Sequence, residues 1–333
     1  MSVTIRIGTR GSQLALWQAR TVAALLEGTS AGSGAEAVTC EIVVIKTSGD
    51  KLQEAPLSEA GGKRLFVREI EDALLDNRVD VAVHSAKDMP VIAVDGLTVA
   101  AVLPREEPWD AIVLPASASS AEAGAADSNT LDTLIARLRS GAGLTVGTSS
   151  VRRVTQLQRV LPGATFAPIR GNLDTRLRKL DEGQYDVLVL AAAGLKRLGA
   201  GARISARVPL DACVPAPGQG TIAVQVRTND ERTYRLAAAI GDASNALALK
   251  AEQAVVSALG GGCQTPIGAF ATLTANGAQL DLQAIVISLD GTRAMRATAS
   301  GPAADADEIG RRAAADLLAQ GAAELLAGVT PSS

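Results

Sequence analysis

The side chains best suited to chemistry lie together in residues 79–90, which read Val-Asp-Val-Ala-Val-His-Ser-Ala-Lys-Asp-Met-Pro. Four groups that can donate, accept or move protons stand close together there: His84, Ser85, Lys87 and Asp88. The alternating valines before them predict a strand, and the proline after them ends it. Groups at the carboxyl end of a strand in an open α/β sheet lie at the edge where ligands bind. The pattern therefore predicts a binding or catalytic site, and a solvent-exposed Lys–Asp loop pair is the alternative.

Arginine is the second informative residue type, because it recurs at the turns and helix starts that follow predicted strands. The arginines in such positions are Arg10, Arg152, Arg153, Arg170, Arg176 and Arg197. Arginine binds a carboxylate through two parallel hydrogen bonds and keeps its charge when partly buried. Each such bond contributes roughly 1.5–3 kcal/mol. Arginines gathered in one cleft would bind a polycarboxylate, whereas scattered surface salt bridges would leave no common placement at strand ends.

Cys263 is unusual because three glycines, residues 260–262, precede it and leave its sulfur with little steric cover. A buried packing cysteine is the usual alternative. A nucleophilic thiol needs a nearby general base, and the one histidine of the chain, His84, belongs to another predicted lobe. The pattern therefore favours a covalent attachment point over a catalytic Cys–His pair.

The composition is that of a soluble globular protein of two or three domains, with 333 residues, 47% apolar and 20% charged. No apolar run approaches the roughly 18 residues of a membrane span. The chain starts directly with a predicted strand rather than with a signal segment. Its three cysteines have no metal-like spacing. We therefore expect a reduced, cytoplasmic protein without a membrane partner.

Charge and aromatic content exclude further classes of function. The net charge of −3 argues against nucleic acid as a partner. Three Phe, two Tyr and two Trp leave little for base stacking. A single histidine excludes a multi-histidine metal site, and we expect no metal.

The first elements of the chain must position the chemical groups of residues 79–90. Residues 3–7 predict a strand and 13–27 an amphipathic helix, joined by Gly-Thr-Arg-Gly-Ser at 8–12. Ser12 is a candidate helix N-cap, and free N–H groups beside Arg10 would bind an anion. A strand at 41–46, a polar surface loop at 47–62 and a helix at 65–77 follow.

The same layout recurs later in the chain. Residues 144–153 repeat a strand, a Gly-Thr turn and a helix start, and residues 180–190 resemble 75–83. We infer two similar α/β lobes that each offer a helix amino terminus to a shared cleft, a preferred position for ligand sites.

Turn-rich segments divide the chain further. We predict a first lobe of residues 1–103 plus 221–240 and a second lobe of residues 104–220, with an inserted loop at 116–130. A third unit spans 244–333. It comprises a helix through 259, strands near 269–274, 279–288 and 292–299, and a helix at 305–326.

Together these motifs resemble the porphobilinogen deaminase (hydroxymethylbilane synthase) family over essentially the whole chain. The matching segments are 7–12 (Ile-Gly-Thr-Arg-Gly-Ser), 62–66 (Gly-Lys-Arg-Leu-Phe), 84–88 (His-Ser-Ala-Lys-Asp), 147–153 (Gly-Thr-Ser-Ser-Val-Arg-Arg), 170–172 with 175–176, 191–197, 217–220 and 261–268. Three departures are Arg64, where the family usually has glycine, Trp109, where it often has arginine, and the longer 116–130 insertion.

The resemblance implies an α/β fold with two lobes like type-2 periplasmic binding proteins and a smaller third α/β domain. It implies a monomeric transferase of porphyrin and heme biosynthesis. This enzyme joins four porphobilinogen molecules head to tail with loss of ammonia and releases hydroxymethylbilane. It further implies a dipyrromethane cofactor, made from substrate and joined by a thioether to Cys263.

The same resemblance implies roles for individual residues. Asp88 is the expected catalytic residue, and Lys63 and Phe66 belong to the active-site loop. The expected cofactor-binding residues are Lys87, Ser149, Ser150, Arg152, Arg153 and Arg197. The expected substrate-binding residues are Arg10, Ser12, Arg170 and Arg176.

Two other classes of function stay open at this point. A non-catalytic two-lobe protein that binds an anion or another solute shares the layout, but it has no use for Asp88 beside Lys87 or for a third domain with Cys263. A thiol transferase lacks a paired base.

Overall fold

The computed structural model describes residues 2–30, 37–48, 67–91, 94–117, 132, 135–136, 143–262 and 265–327. The strands are β1 Ser2–Thr9, β2 Ala37–Val44, β3 Val81–Ser85, β4 Leu97–Val102, β5 Asp110–Val113, β6 Leu144–Gly147, β7 Ala164–Ala167, β8 Val187–Ala191, β9 Ala206–Arg207, β10 Ile222–Arg227, β11 Ile267–Leu273, β12 Gln279–Ile287 and β13 Ala294–Pro302. The α-helices are α1 Gln13–Ser30, α2 Arg68–Leu75, α3 Val151–Leu157, α4 Leu173–Asp181, α5 Ala192–Arg197, α6 Glu231–Ala238, α7 Ala243–Ala258, α8 Ala306–Ala319 and α9 Ala322–Ala327.

The chain divides into two compact units, residues 1–106 with 221–247 and residues 107–220 with 248–333. The first unit contains a five-stranded sheet in the order β2-β1-β3-β10-β4. Strand β1 runs parallel to β2 and β3, whereas β10 runs antiparallel to β3 and β4. All six residues of β10 are buried. Residues 222–227 thus form a strand of this sheet, and the predicted assignment of residues 221–240 to the first lobe stays a prediction.

The second unit repeats this topology in the order β7-β6-β8-β5-β9. Strand β6 runs parallel to β7 and β8, and the antiparallel β5 takes the place that β10 has in the first sheet. The predicted two similar α/β lobes are confirmed by these two matching sheets. The exact domain boundaries stay a prediction.

Each five-stranded sheet has apolar side chains on both faces. In β1, Ile5 and Ile7 pack with Val22 and Leu26 of α1, because a strand that alternates every two residues meets a helix whose apolar positions recur every four. Full burial of each such side chain contributes roughly 1.5–3 kcal/mol. The sheet is thereby held against α1, which starts at the predicted ligand edge.

A smaller antiparallel sheet, β11-β12-β13, lies in the second unit with helices α8 and α9. Its presence agrees with the predicted third α/β domain. The prediction of a single helix over residues 305–326 is wrong, because α8 ends at Ala319 and a separate helix, α9, begins at Ala322. Gly321 lies between them with φ +98°, a left-handed conformation that ends an α-helix.

Other predicted boundaries shift because sheet pairing decides where a strand ends. Strand β2 covers 37–44 rather than 41–46, since it pairs with β1 along its whole length from Ser2–Ala37 to Thr9–Val44. Strand β3 covers 81–85 rather than 79–83. Helix α2 begins at Arg68 rather than at residue 65. Most of the predicted 47–62 and 116–130 loops lies outside the described residues.

Within the described ranges, no helix combines the length and apolarity that crossing a membrane requires.

Candidate functional site

The carboxyl end of β3 carries the chemical groups that the sequence singled out. His84 and Ser85 are the last two residues of the strand, and a 3₁₀ turn over Ala86–Asp88 follows. The backbone N–H of Ala86 donates to the carbonyl of Thr221, which fixes this turn to the sheet. Asp88 is exposed there, whereas the neighbouring strand residues are buried.

The β1–α1 turn lies in the same unit and begins the longest described helix. The Ser12 hydroxyl accepts a hydrogen bond from the backbone N–H of Ala15 at 3.3 Å, as an N-cap does. Thr9 is fully buried and its hydroxyl donates to the Ala15 carbonyl at 3.2 Å. The predicted cap is therefore confirmed, and the turn is held from both sides.

These two segments line one cavity of about 70 Å³ in the first unit. Arg10, Ser12 and Asp88 contribute polar groups to it, together with Gln18, His84 and Ser85; Leu14, Val67, Ile70 and Val83 are among its apolar lining. A cation and a carboxylate beside an apolar wall suit a small ligand that carries both charge and a ring. The structure thus brings together three of the predicted site residues.

Gln18 is a site residue that the sequence analysis missed. It is 2% exposed, and its side-chain amide donates to the Ser85 hydroxyl at 2.9 Å. The signal was present: Gln18, Val22 and Leu26 follow one another at a spacing of four on α1, so a polar amide stands in a buried apolar stripe. Such an amide needs a partner, which Ser85 supplies.

His84 is 5% exposed, and its Nε2 lies 3.2 Å from the Gln225 side-chain oxygen. The amide nitrogen of Gln225 donates to buried Glu71 at 3.4 Å, which turns its oxygen toward the histidine. Nε2 therefore carries the proton and donates it. Burial lowers the pKa of His84 to about 4. His84 is neutral at neutral pH, so it is not a cationic proton donor there.

In the second unit, α3 carries the predicted pair Arg152 and Arg153, which are 4% and 7% exposed. Both bind the fully buried carboxylate of Asp110, the first residue of β5. Arg152 donates to its two oxygens at 2.7 and 3.1 Å, and Arg153 donates through Nε at 2.8 Å. The sequence analysis missed Asp110, although a carboxylate that opens a wholly apolar strand was a usable signal.

Further groups complete this buried network. The fully buried Gln219 donates to Asp110 at 2.9 Å, and the Cys213 sulfur lies 3.3 Å from the same carboxylate. Burial by itself would raise the pKa of Asp110, but the two guanidinium groups hold it well below its ordinary value. Two cations then face one anion, which leaves the network with surplus positive charge. Nε of Arg152 is buried and has no hydrogen-bond partner in the structure.

The two predicted serines differ in how the second unit uses them. Ser149 donates to the Ile169 carbonyl at 2.7 Å and accepts from the Ile169 N–H at 3.0 Å. Because a hydroxyl has one proton, Ser149 cannot donate to a ligand while it keeps this bond. Ser150 precedes α3, and its side chain caps no helical N–H.

The remaining predicted arginines lie near glycine turns of the same unit. Arg176 donates to the Gly171 carbonyl at 2.9 Å, and Gly171 has φ +110°. Arg197 is 9% exposed and donates to the Gly220 carbonyl at 2.6 Å. Arg170 is half-buried. Arg176 lies in the first turns of α4, whereas Arg197 is the last residue of α5, so the predicted place of Arg197 at a helix start is wrong.

Three predicted residues, Lys63, Phe66 and Cys263, lie outside the described residues. On either side of Cys263, Thr265 donates to the Gly262 carbonyl through its N–H at 3.0 Å and its hydroxyl at 2.6 Å. From the sequence, the glycines at 260–262 predicted little steric cover for the Cys263 sulfur, which lies outside the described residues. Gly260 has φ +65°, and a Cβ on Gly261 would lie 2.4 Å from the Ile267 side chain.

The other two cysteines are not reactive thiolates. Burial raises the pKa of Cys40 to about 11 and that of Cys213 to about 12. Both thiols are therefore protonated near neutral pH, and the thiolate is the nucleophilic form. The described ranges contain no group of three or more His, Cys, Asp or Glu residues arranged to bind a metal ion.

Two repeated α/β sheets with buried or half-buried arginines near their connecting turns and helices are typical of a protein that binds an acidic small molecule. Residues 5–235 match the family described as "Porphobilinogen deaminase, dipyromethane cofactor binding domain", and residues 246–319 match "Porphobilinogen deaminase, C-terminal domain". The chain belongs to the porphobilinogen deaminase family. The predicted resemblance is confirmed, and the solute-binding alternative is not favoured.

Relatives of similar length agree with this membership. The chain is 43% identical over 331 residues to "Porphobilinogen deaminase" of Moorella thermoacetica, covering 99% of this chain and 98% of that one. It is 43% identical over 332 residues to "Porphobilinogen deaminase" of Acidithiobacillus ferrooxidans, covering 99% of both chains.

Among solved structures, the chain is similar to the VFT2 domain of Bordetella pertussis BvgS (double mutant), with TM-score 0.38, 16% identity, and coverage of 71% of this chain and 85% of that chain. It is also similar to a TRAP periplasmic solute binding protein from Desulfovibrio salexigens, with TM-score 0.38, 11% identity and coverage of 72% and 73%.

Proposed function

We propose that this chain joins four porphobilinogen molecules head to tail, with loss of ammonia, and releases the linear tetrapyrrole hydroxymethylbilane. Family membership supports the substrate and reaction class. One structural observation carries the proposal: Arg10, Ser12 and Asp88 line a single cavity with an apolar wall. Porphobilinogen has carboxylate side chains for Arg10, a flat ring for the apolar wall, and an aminomethyl pyrrole whose developing positive charge suits Asp88.

The residues of the second unit fit a dipyrromethane cofactor. This group carries several carboxylates, and the Asp110 network has two guanidinium groups for one carboxylate. A surplus of buried charge is costly unless another ion compensates it. The unpartnered Nε of Arg152 is a donor still to be satisfied. An acetate or propionate side chain supplies both the charge and the acceptor.

We assign the predicted residues to roles within this function. Lys87, Arg152, Arg153 and Arg197, with Ser150, bind carboxylates of the cofactor, and Ser149 supports them through its bond to Ile169. Arg10, Arg170 and Arg176, with Ser12, bind the incoming substrate or the growing chain. Lys63 and Phe66 are assigned to the active-site loop, as the family resemblance implies. When bound, the dipyrromethane supplies the free pyrrole α-carbon at which the new carbon–carbon bond forms.

Asp88 acts on the positive charge of the reaction. The carbon–nitrogen bond of the protonated aminomethyl group breaks and ammonia leaves with the electron pair, so the positive charge passes to the methylene carbon and the pyrrole nitrogen of the substrate. The carboxylate of Asp88 accepts a hydrogen bond from the pyrrole N–H and stabilises this charge. The proton displaced from the free α-carbon that the dipyrromethane would supply is taken up by the departing ammonia, so that the products are the new carbon–carbon bond and an ammonium ion. Neutral His84 contributes no competing positive charge.

Cys263 is the attachment point in this proposal. Two observations support it by comparison: Cys40 and Cys213 have raised pKa values, and Cys213 is 1% exposed inside the Asp110 network. The purified protein should exceed its sequence mass by two linked pyrrole units, and peptide mapping should locate them on Cys263. Intact-protein mass spectrometry measures both.

The matched variants are Cys263→Ser, Cys263→Ala and Cys40→Ser. The first two should fold, lack the adduct and lose nearly all turnover, because a hydroxyl or methyl group is a far poorer nucleophile than a thiolate near neutral pH. Cys40→Ser should keep both the pyrrole adduct and the turnover of porphobilinogen. A Cys263→Ala protein that carries the adduct and turns over porphobilinogen normally would refute this function.

We further infer that the protein works as a monomer in the cytoplasm, with porphobilinogen as its partner and with neither nucleic acid nor membrane. The net charge of −3 and the scarcity of aromatic residues support the expectation of no nucleic-acid partner. Light scattering in solution should then give a particle mass close to 33.9 kDa, and a dimer mass would contradict the inference.

A further inference from the structure

Asp110 contacts both cofactor-binding arginines from one fixed position. It opens β5, and its backbone pairs with Ala191 of β8 in the middle of the second sheet. Its carboxylate has no exposed surface. Groups held by a sheet interior are placed more accurately than groups on loops. The carboxylate is therefore a rigid reference point for whatever binds to it.

The contacts decide which edge of each guanidinium is occupied. Arg152 uses its two terminal nitrogens on Asp110, and Nη1 also donates to the Val214 carbonyl at 2.8 Å. Arg153 directs Nε and Nη2 to Asp110, each at 2.8 Å; Nη2 also donates to the Gln219 side-chain oxygen at 3.4 Å, and Nη1 donates to the Val189 carbonyl at 3.1 Å. Because a guanidinium holds its donors in one rigid plane, the occupied edge determines the direction of the others.

This arrangement is poorly suited to stability alone. A buried ion pair stabilises a fold little compared with apolar side chains of the same volume. Here the free-energy cost of burying the charges is higher, because a second guanidinium leaves surplus positive charge. In addition, Arg152 Nε has no hydrogen-bond acceptor among the described residues. A bound anion would compensate the surplus positive charge and could accept a hydrogen bond from Arg152 Nε. The network therefore has the properties of a preorganised anion site rather than of a structural clamp.

We propose that Asp110 is a positioning residue: it orients Arg152 and Arg153 so that their remaining N–H edges receive a carboxylate of the bound pyrrole cofactor. Gln219 supports it with a hydrogen bond to the carboxylate at 2.9 Å and one to the Pro108 carbonyl at 2.6 Å. This inference rests on the proposed function, since it takes the cofactor to be an acidic dipyrromethane.

The test uses full-length protein produced in cells that cannot make porphobilinogen, which is then incubated with porphobilinogen. Loading is followed as the gain of two pyrrole units by intact mass. For Asp110→Asn, the loading rate should fall at least tenfold, because the amide removes the charge and turns a donor toward a guanidinium. The unfolding midpoint of each variant is measured before and after loading.

A matched control is Asp181→Asn. Asp181 also forms a two-point ion pair with one arginine, Arg203, at 2.7 and 3.0 Å in the same unit, but it contacts neither Arg152 nor Arg153. The loading rate of the Asp181→Asn protein should stay within twofold of the wild-type rate. The midpoint gain on loading separates the two roles: a purely structural Asp110 lowers both midpoints equally, whereas a positioning Asp110 reduces the gain itself.

Asp110→Glu keeps the proposal testable if the asparagine variant does not fold. The charge is retained, so folding is expected, but the longer side chain displaces the carboxylate and rotates both guanidiniums. Loading should fall at least threefold. Loading and midpoint gain equal to wild type in a folded Asp110 variant would overturn the positioning role. Failure of the wild-type protein to load would instead count against the proposed function.

Discussion

His84 and Asp110 are both almost completely buried, and their surroundings act on them in opposite ways. The histidine meets only a neutral amide, so desolvation dominates and lowers its pKa to about 4. The aspartate meets two guanidiniums, so its charge is kept despite burial. At neutral pH the His84 ring in the first unit is therefore neutral. In the second unit, Asp110 and the guanidiniums of Arg152 and Arg153 are all charged, which favours the binding of an anion.

The buried histidine predicts a pH dependence of stability. Between pH 6.5 and pH 4 the unfolded chain binds a proton at His84 that the folded chain does not, so the free energy of unfolding falls as pH falls through this window. The loss amounts to about 3 kcal/mol in total and levels off below pH 4. Urea unfolding at a series of pH values measures it.

His84→Gln removes the titrating group, and the chain has no other histidine to contribute in that window. The variant should be less stable than wild type at pH 7. Between pH 6.5 and pH 4, however, its free energy of unfolding should fall by about 3 kcal/mol less than that of wild type. Parallel curves for the two proteins would show that His84 titrates normally in the folded state, against the structure described here.

Asp88 gives the residue-scale prediction for catalysis. At about 4 Å and an effective dielectric near 20, a carboxylate stabilises a cation by about 4 kcal/mol, which corresponds to roughly three decades in rate. This holds when substrate shields the exposed carboxylate from water. Asp88→Asn keeps the shape without the charge, so the release of hydroxymethylbilane from porphobilinogen should slow by roughly that factor.

Asp95→Asn is the control for this measurement, since Asp95 is an exposed aspartate of the same unit that does not line the cavity. It should turn over normally. Both variants should carry the cofactor adduct, which separates catalysis from loading. Near-normal turnover by Asp88→Asn would remove Asp88 from the catalytic role.

At the scale of elements, each site group is held at a turn between a strand and a helix. The β1–α1 turn holds Arg10 and Ser12, the end of β3 holds Asp88, and the β6–α3 turn precedes Arg152 and Arg153. Free N–H groups at helix starts and the polar edge of the sheet face the same side in each repeated unit. The same strand–turn–helix pattern, which occurs once in each unit, therefore positions the residues proposed to act on the substrate and those proposed to bind the cofactor.

Helix contacts in the second unit give an element-scale prediction. A Cβ on Gly310 of α8 would lie 2.3 Å from the carbonyl oxygen of Ala251 in α7 and 2.6 Å from the Ala254 side chain. Because backbone is in the way, the helices must separate. Gly310→Ala should therefore lower the free energy of unfolding by about 1–3 kcal/mol, even though alanine favours helix by about 1 kcal/mol.

Gly28→Ala in α1 is the matched control, since nothing lies within 4 Å of the added carbon. It should raise the free energy of unfolding by up to about 1 kcal/mol. Urea unfolding of both variants tests the pair. Equal stability of the two proteins would mean that the α7–α8 contact is looser than the structure has it.

At the scale of the whole molecule, the first unit is built from two separate parts of the chain. Strand β10, from residues 222–227, lies between β3 and β4. The sheet that holds Asp88 is therefore incomplete until the chain has passed through the entire 107–220 segment and returned. The N–H of Leu103 donates to the Ile222 carbonyl, so the outgoing and returning segments meet. The edge of the sheet that carries Asp88 thus depends on contacts between segments that are far apart in the chain.

Much of this could be predicted from the amino-acid sequence. Alternating apolar residues indicate most strands, glycine turns before helices mark both repeats, and the 84–88 and 261–268 motifs carry the family. These signals are local, because the periodicity of a strand or helix and the chemistry of a turn involve neighbours in the chain. The assignment of residues 221–240 to the first lobe was also made from the sequence, but the place of β10 between β3 and β4 was not.

Only the tertiary structure decided what each buried group meets. Asp110 and Arg152 are 42 positions apart, and His84 and Gln225 are 141 apart, so no local pattern joins them. Sheet order brings such residues together, and burial then determines whether a group keeps its charge. The conversion of His84 from an expected proton carrier to a neutral ring follows from desolvation, which depends on how much of the folded chain surrounds a side chain.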